Sequence, residues 1–190
     1  FGPIHSRRLG VSLGVNLTPD DGKICTFDCL YCEAGFNAQG TGTTGLPPRE
    51  TVARLLESRL SAMKAADQPL DVITFSGNGE PTVHPDFHNI IDDTLHIRDR
   101  YYPDAKVSVL SNSTRIDRRE VREALMKVDN NILKLDSAIT DTIRLIDRPT
   151  LSNFTADKVI GELEKFGKDC IIQTMFLRGE HDGNPIDNTT

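Results

Sequence analysis

A chain of 190 residues with 37% apolar and 6% aromatic side chains is long enough for one sizeable core, so a single domain over residues 1–190 is expected. Its 28 acidic against 22 basic residues give a formal charge of -6, a bulk field that repels a phosphate backbone and argues against nucleic acid as a partner. No run approaches the roughly 18 continuous apolar residues of a membrane span, and the start FGPIHSRRLG lacks the apolar centre of a secretion signal, so no membrane association and a cytoplasmic location are expected.

In chain order, Val11 to Leu17 reads as a first strand that feeds directly into a cysteine-rich loop. Gly35 to Gly45, rich in Gly and Thr, reads as loop. A helix follows from about Arg49 to Ala66, with Val52, Leu55, Leu56, Leu60 and Met63 as its apolar stripe. Residues 71–76, DVITFS, form the next strand and end in the turn GNGEPT. A helix from Pro85 turns Phe87, Ile91 and Leu95 inward. KVSVLSNST is a third strand. The helix after it starts near Asp117, with Glu120 at capping-box spacing and Val121, Leu125 and Val128 on one face.

NILKLDS, residues 131–137, is a fourth strand. ITDTIRLI gives a short helix, RPTLSN a connection, and TADKVIGELEKFG a helix that buries Val159, Ile160, Leu163 and Phe166. CIIQTMFL closes the pattern as a fifth, buried strand, before the polar run HDGNPIDNTT. Strands alternate with helices at βαβ spacing, so the expected fold is α/β: a parallel sheet with outer helices, a partial (β/α)5-6 barrel incomplete at its C-terminus. The polar residues fall just past the C-terminal ends of the strands, which is the ligand-binding rim of such folds.

Three of the four cysteines lie within eight residues, Cys25, Cys29 and Cys32, in the spacing C-x3-C-x2-C. This suits a metal site in a reducing compartment better than a disulfide scaffold. Three thiolates on a compact loop hold three corners of an iron–sulfur cube and leave the fourth iron open to a ligand. Zinc is the rival, since it also accepts three protein ligands with one open position; a zinc-dependent hydrolase is therefore the enzyme alternative. A non-catalytic iron–sulfur electron-transfer or binding module is the other. Cys170, inside CIIQTMF, reads as an inert core thiol.

The run CTFDCLYC, with Tyr31 just before the last cysteine, resembles the cluster motif of the radical S-adenosylmethionine (radical SAM) superfamily. The leader GPIHSRRLGVSLGVNL resembles a small subgroup related to the wyosine-type and activating-enzyme branches. The resemblance implies an oxidoreductase-type metal-binding enzyme with two cofactors, a [4Fe-4S] cluster on Cys25, Cys29 and Cys32 and S-adenosylmethionine on the open iron. It implies reductive cleavage to a 5′-deoxyadenosyl radical that abstracts hydrogen from an unidentified small-molecule or peptide substrate. An electron donor such as a flavodoxin or ferredoxin is implied as partner.

The resemblance also nominates site residues. SGNGEPT looks like the family's glycine-glycine-glutamate motif with Asn78 placed between the glycines; Gly77, Asn78, Gly79 and Glu80 are then expected at the methionine amino end, with Thr82 nearby. Ser111 and Asn112 offer groups for ribose hydroxyls or the methionine carboxylate. Tyr31 and Asp136 complete the cofactor-binding set, with Lys134 expected to pair with Asp136 inside. Arg7, Arg8, Arg148 and Gln173 are expected to line the substrate side, and Thr174 beside Gln173 needs an internal partner. His84, His88, Asp92 and His96 recur every four residues and are read as a polar outer helix face rather than a second metal site. No general acid or base is nominated.

Overall fold

A computed structural model, which describes residues 1–189, has one six-stranded sheet at its centre. β1 (Ile4–Ser6) pairs antiparallel with β2 (Gly10–Val15); β3 (Val72–Phe75), β4 (Lys106–Ser111), β5 (Asn130–Lys134) and β6 (Ile171–Gln173) then follow parallel, each beside its predecessor. The crossovers are α1 (Arg49–Ala65), α2 (Phe87–Tyr101), α3 (Arg119–Leu125), and the pair α4 (Thr140–Ile146) and α5 (Ala156–Leu163). Spatial order equals chain order. Crossovers of one hand then stack their helices on one face and curl the sheet like part of a barrel. The sheet stays open, with β1 and β6 as its edges.

Alternation along the strands divides the two faces. Leu13, Ile73, Phe75, Val107, Val109 and Leu133 point to the helices and are at most 3% exposed. The opposite, concave face carries several small polar residues. Ser12 Oγ and Thr74 Oγ1 share a hydrogen bond of 2.8 Å, and Asn130 Nδ2 donates to Ser108 Oγ at 2.8 Å, so these buried groups are paired.

Several expectations need correction. The leader is not a single approach to β2: β1 turns back on it, so the sheet is mixed rather than wholly parallel. On α1, Val52, Leu56, Leu60 and Met63 are buried, but Leu55 lies off that row and is 54% exposed. α2 starts at Phe87, and Ile90, Ile91, Thr94 and Ile97 share its buried side with Phe87, whereas Leu95 is only partly buried. α3 starts at Arg119 without a side-chain cap, so Glu120 closes no capping box.

The end of the chain differs most. The expected fifth strand shrinks to Ile171–Gln173, an edge strand whose Ile171 and Ile172 are half exposed, because no further strand or helix covers it among the described residues. Cys170, just before β6, is accordingly half-buried and packs only against the edge of the core instead of within it. Beyond it, β7 (Arg178–His181) and β8 (Asn184–Asp187) form a hairpin where the sequence reads as a polar tail. Among the described residues no helix is long and apolar enough to cross a membrane.

Candidate functional site at the C-terminal rim

The cysteine loop leaves the end of β2 and is fixed at both of its sides. On one side it meets the turn after β3. Ile24 and Gly79 form a parallel bridge, and Glu80 N donates to Ile24 O at 2.9 Å. A Cβ on Gly79 would stand 2.0 Å from that carbonyl, and one on Gly77 would stand 2.1 Å from Asn16 Oδ1. These glycines therefore let the turn pack against the chain leading into the cysteines. Asn78 belongs to the same contact: its Nδ2 donates to Pro19 O at 3.2 Å.

On the other side, the segment after α4 clamps the loop through its backbone. Asp28 N donates to Asp147 O and Leu30 N to Ile146 O, while Thr150 N donates to Thr26 O, all at 2.9 Å. Arg148, held at a φ of 46°, donates through Nε to Asp28 O at 2.7 Å and stacks over the Phe36 ring. It anchors the loop. Lys23 joins the two ends of the loop, with Nζ donating to Gly35 O at 2.7 Å.

Glu80 is the buried centre of the β3–β4 side, 2% exposed. Its Oε1 accepts from Ser111 Oγ at 2.8 Å and from both Thr82 N and Thr82 Oγ1, at 3.1 and 2.5 Å; Oε2 accepts from Asn112 N at 2.6 Å. Burial pushes its pKa up, against the pull of these donors. Asn112 then reaches the cysteine loop, with Nδ2 donating to Thr26 Oγ1 at 2.9 Å and to Cys25 Sγ at 3.5 Å.

A second buried network lies between the loop, the end of β5 and the end of α4. Lys134 Nζ pairs with Asp136 Oδ2 at 2.9 Å and Asp147 Oδ1 at 3.4 Å, donates to Tyr31 Oη, and sits 4.4 Å from the Tyr31 ring centre. Tyr31 Oη in turn donates to Asp136. Met175 N donates to Asp136 Oδ1 at 2.9 Å, which ties the chain after β6 to the same carboxylate. Asp147 Oδ2 is buried and makes no hydrogen bond of good geometry, with the Cys29 thiol close enough to act on this carboxyl. Burial raises the Asp147 carboxyl to about 7, with Lys134 opposing. Burial also weighs against the Lys134 ammonium, but Asp147, Cys29 and Asp136 outweigh it and hold its pKa up.

Cys25, Cys29 and Cys32 are free and half-buried. Burial raises the thiol pKa of Cys25 and of Cys29; a Phe27 N–H and the Asn112 amide pull Cys25 back, and Lys134 pulls Cys29 back. Among the described residues no three His, Cys, Asp or Glu side chains converge on a point where one metal ion would be held. His84 is not on an outer face: it is 4% exposed, and its Nε2 lies 2.9 Å from Pro47 O.

The rim thus brings together Tyr31, the three cysteines, Gly77 to Glu80, Thr82, Ser111, Asn112, Asp136 and Arg148. Gln173 lies beside Lys134 in the neighbouring strand. Arg7 and Arg8 are in the turn before β2, at the opposite end of that strand from the cysteine loop. A cavity of about 690 Å³ runs along β2 between Gly14, Val52, Leu55 and Asn78, and no cysteine lines it. Sequence reasoning missed Lys23, Asp28 and Asp147, because their roles come from contacts across the chain.

The profile of the Radical SAM superfamily matches residues 21–187. The chain belongs to the radical SAM superfamily. That membership makes it an enzyme domain. It is 31% identical over 182 residues to a UPF0026 protein of Methanocaldococcus jannaschii, covering 93% of this chain and 53% of that protein. It is 32% identical over 168 residues to a protein named GTPase Obg of Brachyspira hyodysenteriae, covering 87% of this chain but 23% of that one. The radical SAM chain therefore spans about half, or less, of these relatives. Among solved structures it resembles anSMEcpe with bound AdoMet, at TM-score 0.58 and 19% identity over 85% of this chain and 43% of that one. It also resembles Streptococcus suis SuiB bound to S-adenosylmethionine, at 0.57 and 16% over 89% and 33%. These likenesses are of fold across several branches and single out no subgroup.

Proposed function

We propose that Cys25, Cys29 and Cys32 hold a [4Fe-4S] cluster and that S-adenosylmethionine binds beside it at the rim. The observation that carries this reading is the donor set: three half-buried thiols on a loop clamped from both sides, at the strand ends of a radical SAM domain. A cluster held by Cys25, Cys29 and Cys32 would supply the electron for reductive cleavage of the sulfonium, and the radical chemistry that follows would belong to the cofactors.

This chain's residues position and shield. The carboxylates of Glu80 and Asp136 are spent on internal hydrogen bonds, so they set the spacing of the strand ends. The methionine ammonium can only donate, so the peptide carbonyls of Gly77 and Gly79 are left for it, while Asn78 N already donates to Asn16 Oδ1 at 3.4 Å; the Tyr31 ring is left for an adenine. The substrate is a small molecule or peptide, and the electron donor is of flavodoxin or ferredoxin type.

Anaerobic reconstitution with iron and sulfide tests the reading. About four irons per chain, a reduced-cluster signal altered by S-adenosylmethionine, and release of 5′-deoxyadenosine are expected. Cys32→Ala abolishes all three. Stoichiometric zinc without iron, or a cluster with four side-chain ligands that ignores S-adenosylmethionine, overturns it.

A further inference from the structure

Asn112 touches two things that its place at a strand end did not announce: the buried Glu80 carboxylate through its backbone, and the Cys25 sulfur through its side chain. The orientation of the amide is set by its neighbours. Oδ1 accepts from Thr114 N at 3.1 Å and Thr114 Oγ1 at 2.7 Å, and a backbone N–H can only donate. The NH2 group is therefore turned toward Thr26 Oγ1 and Cys25 Sγ, at 2.9 and 3.5 Å. The residue is 9% exposed, so little water competes for those protons. Among the described residues no side-chain amide reaches Cys29 or Cys32.

We propose that Asn112 is a hydrogen-bond donor to the Cys25 ligand sulfur that raises the reduction potential of the bound cluster. Resting on the cluster reading above, this deepens it by giving one corner of the cube an asymmetric partner. Reduction adds negative charge to the iron–sulfur unit and its thiolates. A fixed N–H pointed at one of them is worth more in the reduced state than in the oxidised one. The donor is fixed because Asn112 N is held by Glu80, which also holds Ser111 and Thr82. A positioning chain thus runs from the turn after β3, through the end of β4, to the first cysteine. No atom is transferred in this effect; it changes only how favourably the cluster takes up the electron from its donor.

The test is a redox titration of the reconstituted protein followed by electron paramagnetic resonance, with Asn112→Leu and Asn112→Asp. Leu removes the donor; Asp removes it and puts a carboxylate oxygen beside the sulfur while keeping the acceptor for Thr114. Both variants are expected to bind the same iron as the parent and to show lower midpoint potentials, Asp lower than Leu. Equal potentials at full iron loading overturn the proposal and leave the cluster reading standing. Absence of a four-iron cluster in the parent overturns the cluster reading itself. If either variant fails to fold, the parent protein labelled with 15N in asparagine side chains still decides the matter. Its reduced cluster is expected to show a nitrogen hyperfine coupling across the N–H···S contact, and a spectrum without one rejects the proposal.

Discussion

The cysteine loop is flanked by two buried acidic networks built on opposite principles. On the β3–β4 side, Glu80 is surrounded by neutral donors, the hydroxyls of Thr82 and Ser111 and the N–H groups of Thr82 and Asn112. On the β5–α4 side, Asp136 and Asp147 share one cation, Lys134, and one Asp147 oxygen makes no hydrogen bond of good geometry. Neutral donors hold the Glu80 carboxyl in place without a counter-ion, although burial still raises its pKa against them. Two carboxylates on one ammonium depend on a single long side chain. The first side is a rigid brace; the second is a charge balance that one residue can upset.

Lys134→Met is the hardest blow to that comparison. It leaves two buried carboxylates without a cation, and urea unfolding is expected to show a loss of about 3–5 kcal/mol. A loss below 1 kcal/mol would mean that the two carboxyl groups do not depend on that cation. Gly79→Ala attacks the brace where it meets the loop: its Cβ would meet a backbone carbonyl that cannot swing aside. About 1–3 kcal/mol is expected, together with poorer iron retention under chelator challenge. Glu80→Gln keeps the shape but replaces one acceptor oxygen by a donor facing either Asn112 N or the Oε1 cluster. It is expected to cost about 1–3 kcal/mol in the same unfolding assay.

Asp147→Asn sharpens the contrast through pH. The folded carboxyl is raised from 3.8 to about 7, so between those values the unfolded chain gives up a proton that the folded one keeps. Stability therefore falls as pH climbs from about 4 to 7. In the metal-free protein the asparagine variant, whose amide sits where that carboxyl was, flattens that decline and is the more stable partner above pH 7. Melting temperatures across this range measure it. The smallest effect is outside both networks: Arg119→Ala breaks an exposed, solvent-screened pair with Glu123, and its urea unfolding midpoint is expected to match that of the parent.

Much of the fold was legible where one local rule dominated. The apolar rows of α1 and α5 and the apolar runs of β3 and β4 mark their elements because helix and strand periods are local properties. The short leader hairpin and the β7–β8 hairpin were not legible, since strands of three or four residues carry too little pattern. β6 was misread as buried because apolar side chains in sequence say nothing about whether anything covers them. At the site, the grouping of Cys25, Cys29 and Cys32 was visible in their spacing. The role of Gly79 was not, because the atom that forbids its Cβ belongs to Ile24, in another loop.

Sequence by itself determined the chemistry on offer: three thiols on one short loop, a strand–helix alternation that puts polar residues at strand ends, and a family membership carried by CTFDCLYC. Only the tertiary structure decided how those polar residues are spent. Glu80, Asn112 and Asp136 turn out to be occupied in holding strand ends and the cysteine loop, with Asp147 and Arg148 arriving from 120 residues away along the chain to finish the clamp. The reason is that a hydrogen bond or ion pair between distant segments depends on where folding brings two backbones, and no local pattern encodes that distance.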